Sequence, residues 1–140
     1  MKPITIIIIL FYYALIQSLI WIFFPKVPMV MQEPLEILNE NKTVRVGEAL
    51  YYRAIFKKYV NVYPEITRTL VDTITYTLAE SYPKNDIGDY NQPLVLIIPK
   101  FLPEGNYYFK TKACYDVNPI RMGIFAVCVN YSSEKFKVVK

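Results

Sequence analysis

The sequence predicts an all-β domain, a two-sheet sandwich of about seven strands, preceded by one N-terminal transmembrane α-helix. Three observations support this prediction: an uncharged apolar run near the N-terminus, alternation of apolar and polar residues through the rest of the chain, and frequent turn signals between the alternating segments. The chain has 140 residues, of which 54% are hydrophobic and 20% are charged. This composition is too apolar for a disordered protein, and the length allows one domain with one appended segment.

The apolar run covers residues 4–24, which are 21 residues without a charge. At about 1.5 Å per residue, a helix of this length spans about 31 Å, close to the ~30 Å hydrocarbon core of a bilayer. Trp21 lies near its end, where interfacial aromatic residues are favoured, and Pro25 ends the helix. One alternative, a cleaved secretory signal, would have a shorter apolar core followed by small residues. The other, a buried core helix, is disfavoured because a single small domain rarely hides a charge-free helix of this length. We therefore expect an uncleaved signal-anchor helix over residues 1–24.

The orientation of this helix is not decided by its flanking charges, because Lys2 and Lys26 lie on either side of it. The two Cys favour an oxidising compartment for the rest of the chain, so we expect a cytoplasmic N-terminus and an exported C-terminal domain. Gln17 supplies an alternative hypothesis. As a polar residue inside the span it can hydrogen-bond a second copy, so that the helix drives homo-oligomerisation or membrane activity.

The segment after the helix predicts a linker and then a domain. Pro25, Pro28 and Pro34 recur within ten residues, which predicts an extended Pro-rich linker over residues 25–34. The domain covers residues 35–140. The predicted strands are residues 35–38, 50–59, 67–78, 94–98, 106–115, 123–131 and 135–139.

Alternation along these strands assigns side chains to the core or to the surface. On the second strand we expect an inward set, Leu50, Tyr52, Ala54 and Phe56. On the fifth strand Tyr107, Phe109, Thr111, Ala113 and Tyr115 share one face, and the two Lys among the residues between them mark the other face as outer. On the third strand Asp72 falls on the apolar face, where it needs a partner or a place near the sheet rim.

The segment Leu-Pro-Glu-Gly-Asn-Tyr at 102–107 carries a family resemblance. A Gly two residues before a Tyr that opens a strand resembles the tyrosine corner of immunoglobulin-like and fibronectin-III-like sandwiches. The resemblance implies an immunoglobulin-like β-sandwich in which the hydroxyl of Tyr107 bonds a nearby backbone group. The chain departs from antibody-type domains, because its domain has no Trp and its two Cys are too close in sequence for an inter-sheet bridge. The layout is also similar to small phage-encoded membrane-anchored proteins with an Asn-Pro-Ile/Leu-Arg hairpin tip, here residues 118–121, and so implies a viral or phage source.

The two cysteines lie on consecutive predicted strands, on faces that we expect to point outward. A hairpin that pairs Cys114 with Cys128 also pairs Lys112 with Asn130. Directly opposed strand residues have Cβ atoms about 4.5–5.5 Å apart, nearest in a non-hydrogen-bonded pair, where a bridge is feasible. We therefore predict a cross-strand disulfide that stiffens the hairpin tip. Two unrelated thiols in a cytosolic domain are the alternative.

The composition argues against most kinds of enzyme. The chain has no His, the commonest general base and metal ligand, and two Cys are too few for an all-cysteine zinc or iron–sulfur site. It has no dinucleotide, P-loop, nucleophile-elbow or zinc-protease motif. Residues 132–135 (Ser-Ser-Glu-Lys) combine nucleophile and base types, and residues 86–89 (Asp-Ile-Gly-Asp) offer two carboxylates to calcium. Both are also typical of ordinary turns and loops, which we favour. We expect no catalytic residue, no cofactor and no metal.

Binding is therefore the function that we expect. The 13 Tyr supply rigid contact area, and sandwich loops gather at the ends of the domain. We expect contacts from the loop 81–92 and the tip 118–123. The candidate contact residues are Tyr82, Tyr90, Asn118, Pro119 and Arg121.

The modest basic excess, 16 Lys and Arg against 12 Asp and Glu, raises the hypothesis of a basic strip on the outer surface. Its members would be Arg53, Lys57, Lys58, Lys110 and Lys112. Such a strip would suit anionic headgroups or envelope polymers, although a solvated sheet face explains the same residues more simply. Nucleic acid is not expected. The sequence thus favours a single-pass membrane-anchored, non-enzymatic module that binds a protein or an envelope polymer.

Overall fold

The computed structural model describes residues 3–72, 74–78, 86–117 and 126–140. Within these ranges it has one α-helix, α1 (Pro3–Phe23), and a short 3-10 helix (Glu40–Lys42). The strands are β1 (Met29–Met31), β2 (Glu36–Ile37), β3 (Thr43–Arg45), β4 (Ala49–Lys58), β5 (Glu65–Val71), β6 (Thr75–Thr77), β7 (Gly88–Ile97), β8 (Gly105–Tyr115), β9 (Val127–Ser132) and β10 (Phe136–Val139). The strands form two facing sheets, which is the predicted immunoglobulin-like β-sandwich with more strands than expected.

Helix α1 carries apolar residues on every side, and none of its residues is buried. Its mean hydropathy is 2.4 over an 18-residue window, so it is long and apolar enough to cross a membrane. The Ser18 hydroxyl donates a hydrogen bond to the Ala14 carbonyl at 2.9 Å. This hydroxyl is therefore satisfied within the helix itself.

The first sheet is built around β4. Along its whole length β4 pairs antiparallel with β7, and on its other side it pairs with β1 and β2. Strand β1 lies inside residues 25–34, the predicted linker, and its Met29 is buried. The Pro-rich segment is therefore partly a sheet strand, because three residues between two prolines are enough to pair with one end of β4.

Strand β7 begins at Gly88, earlier than the predicted start at residue 94. Pro93 lies in the middle of this strand, opposite Arg53. A proline is tolerated there because, among the strands that the structure describes, β7 pairs with β4 alone and is an edge strand, where one backbone N–H can be lost. The prediction of a loop over residues 88–92 was wrong for this reason.

The second sheet has the order β3-β10-β8-β5-β6, and β9 pairs with the other end of β8. Strands β3 and β10 are parallel, whereas the other pairs are antiparallel. The predicted third strand, residues 67–78, is in fact two strands, β5 and β6, which pair with each other. Asp72 lies exposed in the turn between them, so its carboxylate does not enter the core.

The core lies between the two sheets, and the predicted inward faces are confirmed. Leu50, Tyr52, Ala54 and Phe56 of β4 are all buried. The five inward residues predicted on β8, from Tyr107 to Tyr115, are buried as well. The Tyr52 and Phe109 rings meet edge to face across the sandwich at 4.9 Å between centroids.

Candidate functional site

A partly enclosed cavity of about 260 Å³ lies between the two sheets. Most of its lining is apolar, and its apolar residues include Met29, Met31, Leu35, Phe56, Ile66 and Leu94. Part of the cavity volume arises at Ala54, whose short side chain lines the cavity between Tyr52 and Phe56 on the inward face of β4. The cavity therefore runs along β4, inside the sandwich.

One row of polar side chains crosses the second sheet inside this cavity. The register places Arg68 of β5 opposite Thr111 of β8, and Thr111 opposite Tyr131 of β9. All three residues line the cavity. The Tyr52 hydroxyl, on the facing sheet, accepts a hydrogen bond from the Arg68 guanidinium. Three strands and both sheets therefore converge on one polar end.

Thr111 has the most unusual position in this row. Its side chain is buried, with a relative exposure of 2%, and it lines the cavity. Its Oγ1 atom has no hydrogen-bond partner among the residues that the structure describes. Leaving a buried hydroxyl unpaired costs about 1–3 kcal/mol, so a hydroxyl with no partner among the described residues marks a place where a ligand can bond.

Burial controls the ionisation of the phenols around the cavity. It raises the pKa of Tyr115 to about 12 and raises the pKa of Tyr131 further. Burial also raises the pKa of Tyr52, against the charge and hydrogen bond of Arg68, which lower it. The three phenols are therefore neutral at neutral pH. The Tyr115 hydroxyl donates to the Met29 sulfur at 3.4 Å.

A second cation, Lys58, lines the cavity near the end of β4. It is buried, and its Nζ lies 5.4 Å from the centre of the Tyr63 ring. Burial lowers the pKa of Lys58, and the charge of Asp86 acts in the opposite direction. Among the described residues that line the cavity, none is Asp or Glu. The described lining therefore holds two basic side chains, Arg68 and Lys58, and no acidic one, with the charge of Asp86 acting on Lys58 from outside it.

The predicted disulfide is confirmed. Cys114 and Cys128 are bonded, and Lys112 lies opposite Asn130 as expected. The Cα atoms of the two cysteines are 4.0 Å apart, near the short spacing of a non-hydrogen-bonded strand pair. The bridge ties β8 to β9, the two strands that hold Thr111 and Tyr131.

The hydrogen bond implied for the tyrosine corner is present. The Tyr107 hydroxyl donates to the Pro103 carbonyl at 3.1 Å. Gly105 packs closely in the same corner: a Cβ atom there would lie 2.8 Å from Oδ2 of Asp72 and 3.2 Å from the Tyr107 ring. A side chain at this position would therefore displace the Asp72 carboxylate and press on the Tyr107 ring.

Of the five candidate contact residues, the structure describes Tyr90. Tyr90 is a strand residue rather than a loop residue, half-buried on β7, with its ring stacked on Phe56 at 4.9 Å between centroids. Its hydroxyl donates to the Asp86 carbonyl at 2.8 Å. The placement of Tyr90 in a loop was wrong, because β7 extends past Pro93. Tyr82, Asn118, Pro119 and Arg121 lie outside the described residues.

The hypothetical basic strip is not one surface. Arg53 and Lys57 belong to β4 in the first sheet, where they pair with Glu36 at 3.3 Å and Asp89 at 3.2 Å. Lys110 and Lys112 belong to β8 in the second sheet, and Lys58 is buried. The strands that carry these residues are not neighbours in one sheet, so their charges are not combined.

The polar residues at 132–135 have structural roles. The Ser133 hydroxyl accepts the backbone N–H of Phe109 at 3.0 Å and donates to the Glu134 carbonyl at 2.6 Å. The Glu134 carboxylate pairs with Lys42. Asp89, from the segment 86–89, pairs with Lys57. Across the described ranges no group of three or more His, Cys, Asp or Glu is placed to hold a metal ion.

Sequence reasoning missed the cavity residues Arg68 and Met29. A usable signal existed for Arg68, since it shares a face of β5 with buried Ile66 and Leu70, where a charged residue is unexpected. Met29 was not assigned to the core, because the neighbouring prolines predicted a linker there. Thr111 was correctly placed inside the domain, but its lack of a partner cannot be read from alternation.

No family model matches the chain, and no curated protein matches it. Among solved structures, a Niemann-Pick type C2 protein from Japanese carpenter ant is similar, with 10% sequence identity and a TM-score of 0.45. The match covers 79% of this chain and 99% of that one. This likeness carries no functional information, so the function has to be inferred from the cavity and the helix.

Proposed function

We propose that this chain is a single-pass membrane-anchored, non-enzymatic binding protein that displays its β-sandwich outside the cytoplasm and holds a small, largely apolar ligand between its sheets. The observation that carries the proposal is the partly enclosed inter-sheet cavity of about 260 Å³. Ligand sites in proteins are typically concave, mostly apolar and supplied with a few convergent polar groups, and this cavity has those properties.

The location in the proposal is supported by two features outside the cavity. Helix α1 is unburied along its length and has the length and hydropathy of a membrane span. The Cys114–Cys128 disulfide is typical of an oxidising compartment. Together they support an anchor in the bilayer and a domain on its outer side. The resemblance to phage-encoded membrane-anchored proteins is consistent with the same arrangement.

The anchor is tested by alkaline carbonate extraction of vesicles that carry the full chain. We expect the chain to stay with the lipid and the double variant Ile8→Lys/Ile9→Lys to be lost from the membrane fraction, because both positions lie inside the span and a Lys there costs up to about 2.5–3.5 kcal/mol, the value at the span centre. The matched control, Ile8→Leu/Ile9→Leu, should behave like the parent. A compartment-sensitive reporter fused after Lys140 tests the side, and a cytosolic signal would contradict the proposed display.

The cavity is tested with the full chain in lipid nanodiscs and with carbon-13 methyl labels on methionine. Met29 and Met31 both line the cavity, so their methyl resonances report on its contents. We expect 1-octanol to shift both resonances saturably. Ala54→Phe fills the space beside these residues and should abolish the shifts, whereas Ala49→Phe at the start of β4, outside the cavity lining, should not. Resonances that do not respond to 1-octanol would contradict binding in the cavity.

A further inference from the structure

We infer that the ligand of this cavity is a single-chain amphiphile with a carboxylate head, bound with its head at the Arg68–Thr111–Tyr131 row and its hydrocarbon tail along β4. This inference rests on the proposed function, since it names the class of ligand for the same cavity. Three observations carry it: the polar row at one end, the apolar lining beyond it, and the position of the cavity along the chain.

The polar row supplies donors and positive charge where a head group would lie. The Thr111 hydroxyl is buried and has no partner among the described residues, so it is free to donate to a ligand. Arg68 and Tyr131 flank it in the same register row. Guanidinium and hydroxyl groups match the acceptor oxygens of a carboxylate. A cationic ligand is disfavoured, because the described lining holds Arg68 and Lys58 and no acidic side chain.

The rest of the cavity suits a short hydrocarbon tail. Beyond the polar row the lining includes four apolar side chains, Met29, Met31, Phe56 and Ile66, together with Gln92, Tyr115 and, at the end of β4, Lys58. The volume is about 260 Å³. At ~30 Å³ for each water-sized group, a cavity of that size accommodates roughly nine non-hydrogen atoms. A medium-chain fatty acid has this size, whereas a two-chain phospholipid is far too large.

The position of the cavity points to the bilayer as the source of the ligand. Met29 lies on the cavity wall, and Phe23 ends α1 six residues earlier. Six residues extend at most about 22 Å, so the wall lies within that distance of the helix end whatever path the chain takes. A chain anchored by α1 therefore holds its cavity close to the membrane surface, where single-chain amphiphiles are concentrated.

The test uses the methionine-labelled full chain in nanodiscs with octanoate, 1-octanol and acetate as probes, and empty nanodiscs to measure partition into lipid. Octanoate and 1-octanol share a tail, and octanoate and acetate share a head. We expect octanoate to bind more tightly than 1-octanol and acetate not to bind. Arg68→Gln should weaken octanoate binding about tenfold or more and leave 1-octanol binding unchanged. Arg53→Gln, a surface arginine on β4, is the matched control and should bind like the parent.

Two further variants cover the other outcomes. Thr111→Val should weaken octanoate binding, whereas Thr69→Val, on the outer side of neighbouring β5 and outside the cavity lining, should not. Arg68→Lys keeps the charge but loses the planar, two-pronged donor geometry of the guanidinium, so it should weaken octanoate binding and leave 1-octanol binding unchanged; it tests the head group if Arg68→Gln does not fold. Equal binding of octanoate and 1-octanol, unaffected by Arg68→Gln or by Arg68→Lys, would overturn the carboxylate head but leave the binding function intact. The absence of a response to either eight-carbon probe would overturn the proposed function itself.

Discussion

The hydroxyl of Thr111 should lower the stability of the ligand-free chain while it contributes to ligand binding. Its buried Oγ1 has no partner in the described part of the chain, whereas a valine of nearly the same shape would need none. We predict that Thr111→Val raises the free energy of unfolding of the ligand-free chain by about 1–3 kcal/mol, because it removes an unsatisfied buried hydroxyl. Denaturant unfolding in nanodiscs, followed by near-ultraviolet circular dichroism of the tyrosines, measures this change. A loss of stability would mean that the hydroxyl has a partner in the protein.

Tyr107 is the opposite case, a buried hydroxyl that is satisfied. Its bond to the Pro103 carbonyl at 3.1 Å holds the segment before β8 against the second sheet. We predict that Tyr107→Phe lowers the free energy of unfolding by about 0.5–1.5 kcal/mol, the usual net value of one such bond. The same unfolding measurement applies. Tyr51→Phe, at an exposed tyrosine of β4, should change little, and an equal loss there would remove the special role of the corner.

At the scale of the element, the β8–β9 hairpin is stabilised by a disulfide. Cys114 and Cys128 are separated by 14 residues in sequence. We predict that the double variant Cys114→Ala/Cys128→Ala lowers the free energy of unfolding by about 2–4 kcal/mol, the typical contribution of a disulfide that closes a loop of this length. Unfolding with and without reductant measures the effect. The parent chain should lose stability on reduction and the double variant should not, whereas alkylation of both thiols without reduction would contradict the bridge.

The elements also show how far the sequence could be interpreted. Strands β4 and β8 were predictable, because alternation along each puts apolar side chains on one face and leaves a clear register for the cysteine pair. Strands β6 and β7 were not, since threonines continue through the turn near Asp72, and Pro93 resembles a strand end although an edge strand accepts it. The cavity was out of reach, because its volume depends on which side chains of the two sheets face each other.

At the scale of the whole molecule, Glu134 links parts of both sheets. It follows β9 in the second sheet, and its carboxylate accepts hydrogen bonds from Lys42 and from the backbone N–H of Ile37 in β2 of the first sheet, the latter at 3.2 Å. The bond from Lys42 lowers the pKa of Glu134 below its usual 4.5, against the effect of burial, with a smaller contribution from Ile37. The charged form is therefore the one that the fold favours.

This link predicts a dependence of stability on pH. Because the folded-state pKa is lowered, the stabilisation is present above about pH 4.5 and is lost as the pH falls through the folded-state pKa. We expect Glu134→Gln to lower the free energy of unfolding by roughly 0.5–1 kcal/mol at neutral pH, since the pair is partly exposed, and the difference from the parent to vanish in acid. Unfolding curves over a pH series measure this. Glu48→Gln, at an exposed carboxylate, is the control, and a constant difference across the series would contradict the link.

The junction between α1 and the sandwich has a mechanical consequence. Strand β1 lies at a sheet margin, pairs with β4 through three residues in the described part of the chain, and supplies Met29 to the cavity wall. Two prolines, Pro25 and Pro28, leave little slack between Phe23 and this strand. A force that pulls or tilts α1 is thus transmitted to β1, and the contacts that it strains first are those between β1 and the rest of the cavity wall.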